Sequence, residues 1–377
     1  MALTAAALAI GYATSTLLRK SVTIAAPALS NEFHLSKEDL GLVNTCFAVA
    51  CGASKFVGAL LIAPPASDRV FAVGLLLTAL LNVVFAACNH VFSFSLVWFL
   101  AGIVHGLSLP ALTHVVPRRY PTATLGRVWS VVITAGNVGY LVGPFLLLPL
   151  LTRYGWQGPV MGSGCAGLVV SVAVAAVLWG SKGAGDEAEA IPVSKDAVPQ
   201  QQQQQEQQQL IFAQARNPSF WLIIIANCLT VFLLNGMASW TGLFLMEAHH
   251  ASPARAAEMM LWNEVGGLAG SLACGAVSDV LGGRRCLAAL LFACVCLPGY
   301  WAFPLPPDPL TFVAHHIYTY DARLRFALLA MGFGINGPKT LLCIAVRDVV
   351  PKEAVGVAGG VLGLVGQVRL IHTISSP

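Results

Sequence analysis

Two adjacent cations, Arg19 and Lys20, stand inside an apolar stretch that runs from Leu3 to Leu29. On a helix, the ten residues from Arg19 to Leu29 span about 15 Å, which is mid-depth in a hydrocarbon core of ~30 Å. An arginine at that depth costs at least ~2.5 kcal/mol unless it faces protein or water. Tyr12, Ser15, Thr16 and Arg19 fall at i, i+3, i+4 and i+7 and predict one polar stripe, whereas Lys20 is turned about 100° away and needs a role of its own. Lys55 raises the same question in a second apolar stretch, between Asp39 and Asp68. Few acids are placed to answer these charges, and Glu264 is the one deep in an apolar run. Positive charge is therefore left over, and the chemistry this favours is binding of an anion. The alternative is pairing with buried carboxylates that only hold helices together.

Other chemistries find little footing. The ten cysteines lie mostly in apolar runs with no CxxC pair, which favours small buried hydrophobes over zinc or redox sites. His249-His250 and His315-His316 lack acidic or cysteine partners at ligand spacing and read as polar loop residues. There is no nucleophile–base pairing, HExxH motif or phosphate-binding glycine loop, so an enzyme is not expected, and neither is a cofactor or metal. A net charge of +4, scattered along the chain, does not describe a nucleic-acid binder.

The elements that must position these groups are membrane helices. Of 377 residues, 56% are apolar and only 10% charged, with a mean hydropathy of +0.74; a soluble domain carries about 25% charged residues. Eleven spans are predicted, at 3–29, 40–64, 70–89, 91–115, 127–151, 159–180, 219–246, 257–281, 286–304, 324–346 and 354–371. The first is not preceded by a basic leader and reads as an uncleaved span. Residues 181–217, with "PQQQQQQEQQQ", form the long polar stretch and predict a disordered linker between six spans and five. Eleven Lys and Arg residues fall after even-numbered spans and five in the odd-numbered loops, which places the N-terminus and the linker in the cytoplasm. "PTATLGRVWSVVITAGNVG" (121–139) and "PKEAVGVAGGVLGLVGQVR" (351–369) repeat Pro and two Gly at the same spacing, six spans apart. Such duplication is the internal symmetry of a secondary transporter. "GNVGYLVGP" and "GGLAGSLACG" add glycines at spacings that let helices approach closely.

"GYATSTLLRKSVTIAAPAL", "LSKEDLG", "SKFVGALL", "VWFLAGIVHG", "EVGGLAGSLACGAVSD" and "GFGINGPKTLL" resemble the organophosphate:phosphate antiporter family of the major facilitator superfamily, most of all its eukaryotic glucose-6-phosphate translocase branch. The likeness covers nearly the whole chain in order. It implies an all-α membrane fold of two six-helix halves related by a pseudo-two-fold axis, here an N-terminal half at 1–180, the linker at 181–217 and a C-terminal half at 218–377. It also implies a central cavity in which phosphate is exchanged for a phosphorylated sugar such as glucose 6-phosphate. The partners implied are that ester, inorganic phosphate and the lipid bilayer, for a monomer in the endoplasmic reticulum membrane, with other intracellular or plastid membranes open.

Carried over by position, Arg19 resembles the family's phosphate-binding arginine, Lys55 its second-span lysine and Glu264 its eighth-span acid. Asn137 falls in the Asn-x-Gly pattern of the fifth span, and His105 replaces a glutamine in the fourth; Tyr12, from the polar stripe, is expected with Asn137 to hydrogen-bond the substrate. The departures are specific. The family's second cation, in span 7, is missing from "VFLLNGMASW", which offers Asn235 instead. Asn336 stands where many relatives have tyrosine, beside the retained Gly337-Pro338. Lys339 follows and is a candidate for the missing cation of the C-terminal half; the alternative is that it snorkels toward the cytoplasm, as Arg347 stands only eight residues on. The cytoplasmic Gly-x-x-x-Asp signature is kept as Gly275 to Asp279, but in the first half Ala63 occupies the acid position and Asp68 comes five residues late. The likeness stops at Gln367, so the expectation is a truncated or mis-spliced C-terminus without span 12, and a few residues missing before Met1. Two alternatives stay open: a facilitator for another anion or a neutral sugar, and a non-transporting remnant.

Overall fold

The computed structural model describes residues 2–180, 217–303 and 314–350, and helices account for nearly all of them. The chain runs through α1 (Ala2–Phe33), α2 (Lys37–Leu61), α3 (Ser67–Ala86), α4 (Val91–Gly106), α5 (Ser108–Arg119), α6 (Thr122–Tyr154) and α7 (Gln157–Gly180). After the linker come α8 (Pro218–Ala248), α9 (Pro253–Val280), α10 (Arg285–Ala302) and α11 (Ala314–Val349). Ten of the eleven expected spans thus have a helical counterpart; the eleventh, 354–371, lies outside the described residues, as does the linker apart from Asn217.

The fourth span departs from expectation. It is two helices, with Leu107 between them. Pro110 has no N–H to give the Gly106 carbonyl one turn earlier, which ends the ladder of α4 there. Local chemistry sets other ends. Ser36 and Asp39 exchange hydrogen bonds in a capping box at the start of α2, and the Asn217 side chain accepts from the Ser219 N–H to open α8.

Eight stretches among the described residues are long and apolar enough to cross a bilayer. The two long helices outside that set are α1 and α9, which carry Arg19, Lys20 and Glu264. Large apolar side chains such as Phe92, Val169 and Leu222 point outward, where lipid is their solvent. Burial of apolar area gives little drive between helices in lipid, so close packing must supply it. Each buried apolar cluster draws its residues from one side of the linker only, two from residues before 181 and two from residues after 217.

Glycines bring the site-bearing helices together. Along α6, Gly136, Gly139 and Gly143 face Tyr12, Thr16 and Lys20 of α1 in turn, and a side chain at any of the three would meet them. In the second half, Gly266 and Gly270 of α9 lie against the backbone carbonyls of Leu329 and Phe333 in α11. Here rigid backbone, which cannot yield, is what an added Cβ would strike. Gly270→Leu is expected to cost roughly 1–3 kcal/mol or more from overpacking, read as a lower unfolding temperature of the detergent-solubilised protein.

Candidate functional site

Arg19 sits between the halves. Its Nη1 donates to Tyr140 Oη of α6 and its Nη2 to Asn235 Oδ1 of α8, each at 3.3 Å. The guanidinium also lies over the Phe47 ring, 5.1 Å from its centre. Every one of these partners is neutral. The polar stripe read from spacing divides its work: Ser15 Oγ is hydrogen-bonded to His105 Nδ1 of α4 at 2.9 Å, and Thr16 Oγ1 donates to the Gly136 carbonyl at 2.9 Å. Tyr12 packs over Gly136 and lies near Arg19, Tyr140 and Cys51.

Lys20 has the separate role its direction demands. Its Nζ donates to Glu264 Oε1 of α9 at 2.6 Å, and the lysine side chain is 4% exposed. The acid deep in α9 is therefore spent on Lys20, in a contact that joins the halves. That leaves Arg19 without a carboxylate, and among the described residues Lys55 and Lys339 also have no ion-pair or hydrogen-bond partner.

Lys55 lies six residues before the end of α2, and Lys339 ten before the end of α11, so about 9 Å and 15 Å from those ends. Both ends are on the side that the charge bias assigns to the cytoplasm. Lys339 is within electrostatic reach of Lys55, Arg19 and Glu264. The structure thus gathers Arg19, Lys55 and Lys339, contributed by both halves, into one cationic region that extends from mid-depth toward the linker side.

The remaining residues are placed less centrally. Asn137 is one helical turn from Tyr140 and shares its face of α6, without a hydrogen bond among the described residues. His105 is buried against Ser15 and the Phe47 ring, one side chain removed from Arg19. Asn336 donates to the carbonyl of Gly332 in its own helix and fills the space over Gly267. Gly337 makes room for the Phe292 ring of α10, and Pro338 follows it inside α11. Gly275 and Asp279 lie exposed on the last turns of α9. Asp68, the late acid of the first half, is buried; it takes both Arg118 and Arg119, the latter at 3.0 Å, and Arg119 Nη2 also donates to the Leu178 carbonyl at 2.8 Å. Of the cysteines, Cys51, Cys228 and Cys274 are buried as expected, but Cys165, Cys286, Cys294 and Cys343 are exposed.

Tyr140 and Phe47 were not singled out by the sequence. Tyr140 was legible as a hydroxyl three residues beyond Asn137 in a glycine-rich helix; Phe47 carries no signal that separates it from any core aromatic.

Comparison with known proteins decides the family. The Major Facilitator Superfamily model matches residues 8–370. The chain belongs to the Major Facilitator Superfamily. Among relatives, it is 27% identical over 371 residues to the membrane sensor protein UhpC of Escherichia coli (strain K12), covering 94% of this chain and 80% of that one. It is 26% identical over 377 residues to the glycerol-3-phosphate transporter of Bacillus subtilis (strain 168), covering 95% and 81%. The resemblance to organophosphate carriers read from the sequence agrees with these relatives. The fold matches a crystal structure of a bacterial homologue of the human lysosomal transporter Spinster, in an inward-facing and occupied conformation, with a TM-score of 0.71 at 16% identity over 96% of this chain and 78% of that one. Superfamily membership makes this an integral, multi-pass membrane protein.

The Lys20–Glu264 contact yields a double-mutant test. Glu264→Gln alone leaves a buried ammonium unpaired and is expected to destabilise the protein by about 3–5 kcal/mol. Lys20→Met with Glu264→Met is expected to restore most of that loss in thermal unfolding, since an apolar pair needs no compensation.

Proposed function

We propose that this protein is a secondary transporter that exchanges a phosphorylated organic anion for inorganic phosphate by alternating access, and not an enzyme. The observation that carries the reading is Arg19 at mid-depth, held by Tyr140, Asn235 and Phe47 but by no carboxylate, while the nearby acid Glu264 is engaged by Lys20. A guanidinium presents five donors in a planar fork that matches phosphoryl oxygens, and two of them are held here only by long bonds to neutral groups. Lys55 and Lys339 add positive charge, and Tyr12, Tyr140 and Asn137 are hydrogen-bonding groups of the same region. Lys339 supplies from span 10 the C-terminal-half cation that span 7 lacks.

Exchange follows from the charge. Three side-chain bridges join the halves among the described residues: Arg19–Asn235, Lys20–Glu264 and Lys37–Glu247 at 2.6 Å. All three lie at mid-depth or toward the side away from the linker. To reopen on that side the halves must close over Arg19, Lys55 and Lys339 on the other. Enclosing three uncompensated cations costs desolvation energy, which a bound dianion offsets. A carrier that reorients only when loaded exchanges one anion for another.

The domain limits 1–180, 181–217 and 218–377, the monomeric state and the endoplasmic reticulum membrane belong to this reading as the resemblance implies them; the relatives reported above are bacterial. A second reading, ligand binding without turnover, is favoured by one observation: the Escherichia coli relative is named a membrane sensor protein.

Labelled-phosphate uptake into phosphate-loaded liposomes separates the two. Exchange by the native chain is expected, and Arg19→Ala is expected to lower it at least a hundredfold. Binding without exchange would select the sensor reading. Lys339→Met is expected to weaken phosphate affinity about tenfold, or about 1.4 kcal/mol, and an unchanged affinity would remove Lys339 from the site.

A further inference from the structure

Beyond Arg19, on the side away from the linker, helices α1, α2, α6, α8 and α9 line a partly open cavity of about 50 Å³. Its polar lining comes from Lys20, Thr23, Asn44, Ser239 and Trp240, and residues such as Met260 make up an otherwise apolar wall. Helical spacing fixes its position. Thr23 is one turn past Arg19 on α1, and Ser239 is one turn past Asn235 on α8, so the Arg19–Asn235 hydrogen bond lies directly beneath.

The two directions away from Arg19 differ in charge. Toward the linker side stand Lys55 and Lys339. Among the described residues that line the cavity, Lys20 is the one cation, and Glu264 neutralises it. A phosphate ester is equally divided, with a dianionic end and a carbon body. Such a molecule is oriented by the field, phosphate among the cations and body into the cavity. Asn235 gives a second indication: its Oδ1 accepts from Arg19, while its Nδ2 is buried with no partner among the described residues. A buried donor without an acceptor is costly, and a ligand oxygen at the mouth of the cavity would satisfy it.

We propose that this cavity receives the uncharged carbon end of the transported ester and that its size favours a three-carbon polyol phosphate over a hexose phosphate, with Trp240 as the specificity-determining wall. The inference rests on the reading that Arg19 binds the phosphate. A cavity of 50 Å³ holds about four waters at roughly 10–15 Å³ each. A glycerol body is closer to that size than a hexose ring is, and the size preference rests on that difference. Ser239, Asn44 and Thr23 offer the hydroxyl and amide groups that a polyol needs.

The test uses the full chain in phosphate-loaded liposomes, with glycerol 3-phosphate and glucose 6-phosphate competing against labelled phosphate. The native chain is expected to need at least tenfold less glycerol 3-phosphate than glucose 6-phosphate to halve exchange. In Trp240→Ala that ratio is expected to fall at least fivefold, measured on whatever exchange the variant retains. Equal potency in the native chain, or an unchanged ratio in the variant, would overturn the proposal. Ser239→Cys gives a readout that does not depend on Trp240. Its maleimide labelling, above the native cysteine background, is expected to slow at least fivefold with saturating glycerol 3-phosphate and less than twofold with inorganic phosphate. Equal protection by both, or by neither, would place the carbon body elsewhere. Exchange that shows no size preference removes this inference alone, whereas absence of any phosphate exchange removes the underlying reading and this inference with it.

Discussion

A guanidinium in the middle of a bilayer has to be met by something, and the arrangement of the whole site follows from what meets Arg19 and what does not. Neutral groups from α2, α6 and α8 surround it: an aromatic face, a phenol and an amide. They orient the charge without cancelling it. The cancelling acid stands one residue away in register, on Lys20. Two adjacent residues on one helix thus receive opposite treatments, one neutralised and one kept available, because about 100° of helical rotation points them at different neighbours.

That division depends on backbone packing as much as on charge. α1 must lie close enough to α6 for Tyr140 to reach Arg19, and the glycines at 136, 139 and 143 provide the approach. It must also touch α8 and α9 of the other half, and it does so through Asn235 and Glu264. One helix carries the proposed anion-binding group and two of the bridges between halves, so the candidate site and the contact between the halves share the same element. The buried apolar clusters, in contrast, stop at the linker. Among the described residues the halves are joined by the packing of α6 against α9 and by a few polar side-chain bridges, a contact without a shared apolar cluster that suits parts that must separate and rejoin.

Much of this was legible in the sequence, for identifiable reasons. Apolar runs long enough for a bilayer predict the helices, because the hydrocarbon core fixes their length. Arg19, Lys55 and Glu264 stand out because charge in such runs is rare. The direction of Lys20 follows from helical geometry alone. What the sequence did not show is partnership across long separations. The Lys20–Glu264 pair spans 244 residues of chain, and Tyr140 and Phe47 join the site through packing that no local spacing encodes. The division of the fourth span was also hidden, although Pro110 marks it once the missing donor is counted. Asp68 looked misplaced against the family pattern; the fold brings it to Arg118 and Arg119 from its later position.

That last cluster has a consequence for how the protein is oriented and how it then presents itself. Arg118 and Arg119 belong to the basic excess from which the topology was read, a signal that acts while the chain is being inserted and is still extended. In the folded molecule both arginines close on Asp68, and Arg119 additionally caps the carbonyl of Leu178 at the end of α7. The charge that directs insertion is therefore partly withdrawn once the helices assemble. The face on the linker side presents less unpaired positive charge than a count of its basic residues implies, whereas Lys55, Lys339 and Arg19 in the interior have no carboxylate partner among the described residues.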